Sequence, residues 1–307
     1  MATREFKLYR LHFTTPLHIS NSRADYGVSL RSVLSDTMYA ALTATLAKMG
    51  DVPKDGNLGC VISGLFPYCK TSDKVDYYFP KPLSTRLSRN LDNDVRKAMK
   101  KQTWLKQSLF EQVLQGQELS EKQEIPEIIH AEESARVNVS RTGENAEPFY
   151  MERLYFTENT GLYFLVKGDD TTLVDKALSL LALEGIGTDR NVGNGAFVYK
   201  KDSIIINVPD NTEYAVSLST FIPDSKEQLS KALGVHAAYE LIRRGGWITD
   251  AEGQGLRKNA VYALAAGSVL AGIKTGDGAI VNLAPKGVYT QHPVWRCGKT
   301  ICLPIKL

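Results

Sequence analysis

Cysteine is scarce: Cys60, Cys69, Cys297 and Cys302 are the four in 307 residues, and none forms a close CxxC pair. That spacing argues against zinc or redox chemistry and suits a reduced cytoplasm. Long apolar runs are missing too. No stretch approaches the ~20 consecutive apolar residues of a membrane span, and the polar N-terminus is not a secretory signal. No membrane partner is therefore expected, and the sequon Asn138-Val139-Ser140 reads as coincidence. Charge of one sign is nearly absent in sum, because 37 Lys and Arg face 34 Asp and Glu for a net +3. Nucleic-acid binding would have to come from local clusters of Arg and Lys. There is no Gly-x-Ser-x-Gly elbow, so Ser/His/Asp hydrolysis finds no support.

What is present suits two domains of ~100–200 residues, each able to bury a core from an apolar fraction of 43%. Residues 5–14 (EFKLYRLHFT) alternate as a half-buried strand, with a doublet at Leu8-Tyr9 that blurs the period. The turn-rich loop PLHISNSRADYGVSLRS follows. Ser35-Asp36 then precede Met38, Ala41, Leu42, Thr45 and Leu46, an amphipathic helix with Asp36 read as part of its cap. Residues 136–156 read as a hairpin around Arg141-Thr142-Gly143, residues 161–166 as a buried strand, and 172–184 as a helix. The stretch GIGTDRNVGNG leads into the strand-like Ala196-Phe197-Val198-Tyr199.

The segment from about 81 to 135 differs from its flanks. Eight Lys and Arg lie between Lys81 and Lys106 against Asp92 and Asp94, and seven Glu between Glu111 and Glu133 against Lys122. It reads as an inserted, mostly helical, partly mobile excursion. Either it is an ion-paired hairpin with solvated faces or it faces RNA or a partner. Without it, the order strand–helix–strand–strand–helix–strand is that of a ferredoxin-like, RRM-like unit. From residue 202 a second cycle opens at Ile204-Ile205-Ile206 and continues with strand-like runs at 214–221, 238–242, 260–265, 279–283 and 299–305. The fold expected is α+β: two tandem ferredoxin-like domains, 1–201 with the insertion at about 81–135 and the hairpin at about 136–156, and 202–307, degenerate and strand-rich.

Gly185 to Gly195 is the most informative stretch, with four glycines and two asparagines in eleven residues. Such a loop permits positive φ and close backbone approach to another molecule. Its N–H groups can form an anion-binding concavity, to which Arg190 adds a planar fork. No Lys-Ser or Lys-Thr follows its last glycine, so it is no Walker loop. It also runs from helix to strand, the reverse of a dinucleotide fingerprint. The bland alternative is a merely flexible loop.

Placed between the second helix and last strand of such a domain, GIGTDRNVGNG resembles the signature of the RAMP superfamily, in the version of the Csm subunit paralogous to the Cas-five group. LHFTTPLHIS, SDTMYAAL, ARVNVSRTGENAEPFYMERLYF, RRGGWITDAEGQGLRKNAVYALAAGSVL and HPVWRCGKTICLPI are similar too, so the resemblance spans nearly the whole chain and is weakest over 84–130. It implies a non-catalytic subunit of a type III-A CRISPR ribonucleoprotein that grips the 5′ handle of crRNA. The implied partners are the large polymerase-like subunit and the backbone RAMP, with target RNA touched indirectly through a hairpin thumb, and no cofactor or metal. The thumb is the hairpin near Arg141 or the insertion beside it. Implied RNA contacts fall on Gly187, Thr188, Asp189, Arg190, Asn191, Gly193, Asn194 and Gly195. Others fall on His18, Ser20, Arg23, Tyr26 and Arg31, on Arg141, and on Arg243, Arg244, Gly245 and Gly246. The arginines suit phosphates and Tyr26 a splayed base, while Trp247 reads equally as a core anchor or a stacking platform.

The alternative is a RAMP endoribonuclease that processes precursor crRNA with His18 as general base. No second His or Lys lies near His18 in sequence, and its Pro-Leu-His-Ile setting suits a structural or RNA-contacting histidine. A protein-interaction subunit whose basic loops neutralise an acidic partner is a third reading.

Overall fold

The structure is a computed structural model that describes residues 2–20, 26–72, 74–138, 147–248, 255–289 and 291–307. The first half runs β1 (Ala2–Phe13), α1 (Ser35–Lys48), β2 (Val61–Ile62), β3 (Phe66–Lys70), β4 (Val75–Pro80), α2 (Asn93–Lys101), β5 (Trp104–Lys106), α3 (Gln107–Leu114), β6 (Ile129–Asn138), β7 (Glu147–Phe156), β8 (Thr160–Lys167), α4 (Thr172–Glu184) and β9 (Phe197–Val208). One antiparallel sheet has the order β5-β4-β3-β8-β1-β9, with β2 also on β8. β6 and β7 form a separate hairpin.

Both faces of that sheet are covered, which explains the doublet in β1. Phe6 and Leu8 point into one core while Tyr9, Leu11 and Phe13 point into another. Period-2 alternation of side chains then gives apolar residues at both parities where both faces are buried. β8 shows the same, with Leu162, Phe164 and Val166 on one face and Tyr163 and Leu165 on the other. On the Tyr9 face, Met38, Leu42 and Leu46 of α1 pack with Val174, Ala177, Leu178 and Leu181 of α4.

The opposite face is closed by the insertion and the second half together. Met99, Leu105, Phe110, Val113 and Leu114 are buried against Phe66, Phe79 and Tyr163, and Phe79 stacks on Phe110 with ring centroids 4.6 Å apart. Of the two readings of the insertion, the ion-paired hairpin with solvated faces is corrected: β5 extends the main sheet and α3 lies on it. Lys81 holds the end of α2, its ammonium donating to the carbonyls of Met99 and Lys100 at 2.7 and 3.0 Å. A cation there satisfies carbonyls the helix leaves open.

The second half comprises β10 (Tyr214–Ser217), α5 (Lys226–Ala232), β11 (Leu241–Arg244), β12 (Val261–Leu264), β13 (Val269–Ala271), β14 (Ile280–Asn282), β15 (Trp295–Cys297) and β16 (Cys302–Ile305). β10 is the middle strand of a three-stranded sheet, order β13-β10-β16, and β11–β12 and β14–β15 are two-stranded ribbons. Ile204–Ile206 do not open this half. They are the second part of β9, which pairs with β1 without a break from Phe197↔Phe13 to Val208↔Ala2. Val216, Leu303 and Ile305 join the core that holds Phe6 and Leu8, so the two halves share one apolar interior. Among the described residues this is a mixed, strand-rich α/β protein with five helices, none long and apolar enough to cross a membrane.

Candidate nucleic-acid interface

The loop after β1 is organised by one residue of the hairpin, Glu152 on β7. Its carboxylate accepts from the Ser29 N–H and from Arg31 Nη2, each at 2.7 Å, and its own N–H donates to the Tyr26 carbonyl at 2.9 Å. Its carbonyl oxygen lies 2.7 Å from His18 Nδ1. A carbonyl only accepts, so the His18 proton sits on Nδ1. His18 is fully buried and its Nε2 has no hydrogen-bond partner. Tyr26 packs between His18 and Phe149, at centroid distances of 6.2 and 5.6 Å.

The glycine loop packs against the same segment. φ is positive at Gly185, Gly187, Asp189, Gly193 and Gly195. A Cβ on Gly187 would lie 2.4 Å from the His18 carbonyl oxygen, and one on Gly195 1.9 Å from that of Ile186. The close approach these glycines permit is to the chain itself, and only at Gly193 would a Cβ meet open space. The N–H groups of Ile186, Thr188, Val192, Gly193, Asn194 and Gly195 all donate to backbone carbonyls. That leaves the exposed turn Arg190–Val192 as the crest of the loop. Arg136 of the hairpin reaches Asp189 at 3.4 Å, tying β6 to the loop.

The third segment, Arg243-Arg244-Gly245-Gly246, leaves the end of β11. Arg243 is exposed opposite Tyr262, whereas Arg244 turns inward to Asp36. Asp36 is not a helix cap. Leu34 takes the cap position, and the Asp36 carboxylate is fully buried, accepting from Arg244 Nε at 2.7 Å, from Arg296 Nη1 and from the Thr220 hydroxyl at 3.3 Å. Trp247 is 41% exposed, with the Arg257 guanidinium 5.9 Å from its ring centroid. It lies neither in the core nor bare.

Between the halves runs a cleft of about 1220 Å³, above the ~300–1,000 Å³ of a small-molecule site. Ser20, Tyr26, Thr188 and Arg243–Gly246 line it, so it gathers one part of each predicted segment. Six basic side chains, Lys81, Lys100, Arg243, Arg244, Arg257 and Lys258, border it against Glu240 alone among the described acidic residues. Of the other expected contacts, His18 is buried beneath the wall, Arg31 is paired with Glu152, and Arg190, Asn191 and Gly193 stand on the exposed crest. Gly187, Asp189, Asn194 and Gly195 are held within the loop. Arg23 and Arg141 lie outside the described residues.

Lys100, Trp104, Arg257 and Lys258 line the cleft without having been singled out. The basic excess of 81–106 was a visible signal for the first; Arg257 and Lys258 lie within the family-like stretch RRGGWITDAEGQGLRKNAVYALAAGSVL, but nothing in it singled them out, and nothing singled out Trp104. The thiols are poor nucleophiles here. Burial pushes Cys60 and Cys302 up to about 12 and Cys297 to about 11.

Comparison with known proteins gives a consistent result. Residues 210–305 match the model of the CRISPR Csm4 C-terminal domain. The Csm4 protein of the CRISPR system of Thermococcus onnurineus is 28% identical over 261 residues, covering 81% of each chain. A chain of the crystallised Csm1–Csm4 cassette bound to pppApA superposes with a TM-score of 0.65 at 22% identity, over 99% of both chains. A chain of the Csm3–Csm4 subcomplex of a type III-A CRISPR-Cas interference complex gives 0.62 at 17% identity, over 99% of this chain.

Proposed function

We propose, the chain being a member of the Csm4 family, that it is the RNA-holding scaffold subunit of a type III-A CRISPR Csm complex. The 5′ handle of crRNA lies in the cleft between the halves, and the chain joins the large subunit to the backbone subunit. The observation that carries this is the convergence of the loop after β1, the glycine loop and the Arg243–Gly246 segment on one cleft with six basic side chains. Phosphate contacts from such a groove hold a strand without reading its sequence, and side-chain planes such as that of Trp104 offer stacking surfaces. The relatives solved with Csm1 and with Csm3 support the two protein partners. In this reading the halves are tandem ferredoxin-like units joined after β9: β9-β1-β8-β3 carries α1 and α4, and β16-β10-β13 carries α5.

The test is to purify the assembled complex through a tag on this chain and sequence the RNA that comes with it. Short RNAs sharing one repeat-derived 5′ end are expected, and random RNA or none overturns the proposal.

No catalytic role is assigned to His18. A general base must reach the hydroxyl it deprotonates, and this ring is sealed from solvent with its Nδ1 committed to the Glu152 carbonyl. His18→Ala is expected to weaken guide retention and to leave any RNA cleavage by the complex at the wild-type rate. A loss of about 10²–10⁴-fold in that rate would restore the endoribonuclease reading.

A further inference from the structure

Behind the cleft wall, where α1 meets the second half, lies a buried charge cluster that does not balance among the described residues. Asp36 accepts from two guanidiniums on one oxygen, Arg244 from β11 and Arg296 from β15. Arg244 also donates to the Thr37 hydroxyl at 2.9 Å, and Arg296 to the Gly245 carbonyl at 3.0 Å. Arg296 is only 6% exposed, yet its Nε is buried without a partner.

Lys258 is the third cation. It packs against the segment after β11, its N–H donating to the Gly246 carbonyl at 3.0 Å and its Cε 3.6 Å from where a Cβ on Gly246 would sit. Among the described residues the ion pairs of Arg244 and Arg296 are with Asp36 alone, and Lys258 has none. Among the described residues, two arginines and a lysine thus have one carboxylate between them in a site largely withdrawn from water, a costly arrangement unless a counter-charge arrives. The strain is visible on Lys258. Burial, then Arg296 and Arg244, push its ammonium down to about 8 against the opposing pull of Asp36.

We propose that Lys258 and Arg244, which both line the cleft, form a phosphate-binding subsite, and that the ligand's phosphate supplies the negative charge the Asp36–Arg244–Arg296 cluster lacks. The inference rests on the cleft being an RNA path and names one fixed point along it. Either an RNA phosphodiester or free phosphate carries the required chemistry. A bound phosphate restores the Lys258 proton, so binding above pH 8 takes up a proton. Asp36 and Arg296 do not touch the ligand; they position Arg244 and Gly245 from behind.

The test uses the purified full chain, a single-stranded oligoribonucleotide and, separately, inorganic phosphate. Wild-type affinity for RNA falls about tenfold from pH 7 to pH 9 as Lys258 loses its proton, the effect of losing one charged contact. Lys258→Gln binds about tenfold more weakly at pH 7, has a salt slope smaller by about 0.7 for one lost phosphate contact on a single strand, and loses the pH dependence. Lys258→Arg restores affinity and slope but not the pH dependence, because arginine stays charged. If Lys258→Gln keeps wild-type affinity, slope and pH response while Arg243→Gln weakens RNA binding, the subsite falls and the cleft stands. If neither weakens it, the RNA path falls too. A rise in melting temperature with inorganic phosphate, present in wild type and absent in Lys258→Gln, assigns free phosphate as a ligand. The RNA effects without that rise assign the phosphodiester.

Discussion

Replacing Asp36 with alanine is expected to lower the free energy of unfolding by about 3–5 kcal/mol, the usual cost of removing one partner from a buried ion pair. The carboxylate is fully buried and the Arg296 side chain is 7% exposed, so solvent cannot take over the lost interaction. Two guanidiniums would be left facing each other in a buried junction, with Thr220 losing its acceptor as well. Asp36→Asn should cost less, since an amide oxygen still accepts one hydrogen bond while the charge is gone. Replacing all three members with apolar residues of similar volume should recover much of the loss, because the desolvation of the ions disappears with them. Denaturant titration of the purified chain measures each step, and an Asp36→Ala loss below about 1 kcal/mol would mean that the cluster does not hold the halves together.

That cluster was invisible in the sequence. Ser35-Asp36 ahead of an amphipathic run is the pattern of a capped helix start, and the helix does begin there. The partners that turn Asp36 inward lie 208 and 260 residues away, and no local pattern predicts them. The insertion misled for a related reason. Its charge runs are real, but Met99, Phe110 and Val113 sit on short helices whose stability comes from packing on Phe79 and Tyr163 rather than from their own periodicity.

The elements that were legible are those whose cause is local. The α4 run follows its helical spacing to Leu181 and Ala182, and the β8 run reads as buried because both of its faces are covered. The glycine loop was half legible. Positive φ was readable from composition, but the close contacts are within the loop itself and to residues 16–18, which only the fold brings there. Glu152 escaped notice because it looks like one more charged residue on a strand, and its role depends on four neighbours from a loop more than 120 residues earlier.

The second large effect concerns the two walls of the cleft. Lys100 reaches it from the insertion and Arg243 from the second half, and both are exposed side chains bordering the same space. Neither is held in an ion pair among the described residues, so their charge is available to a ligand. Removing both in Lys100→Gln/Arg243→Gln is expected to lower RNA affinity about 10²-fold and to reduce the salt slope by about 1.4, two contacts at ~0.7 each on a single strand. Each single substitution should carry about half of the effect on a logarithmic scale, since the residues belong to different elements and share no partner. The melting temperature should stay at the wild-type value, which separates loss of charge in the groove from damage to the fold. Binding measured at several salt concentrations decides it. If only Arg243→Gln changes the slope, the strand runs along the second half and leaves the insertion free, and the role of Lys100 and its neighbour Trp104 passes to a protein partner.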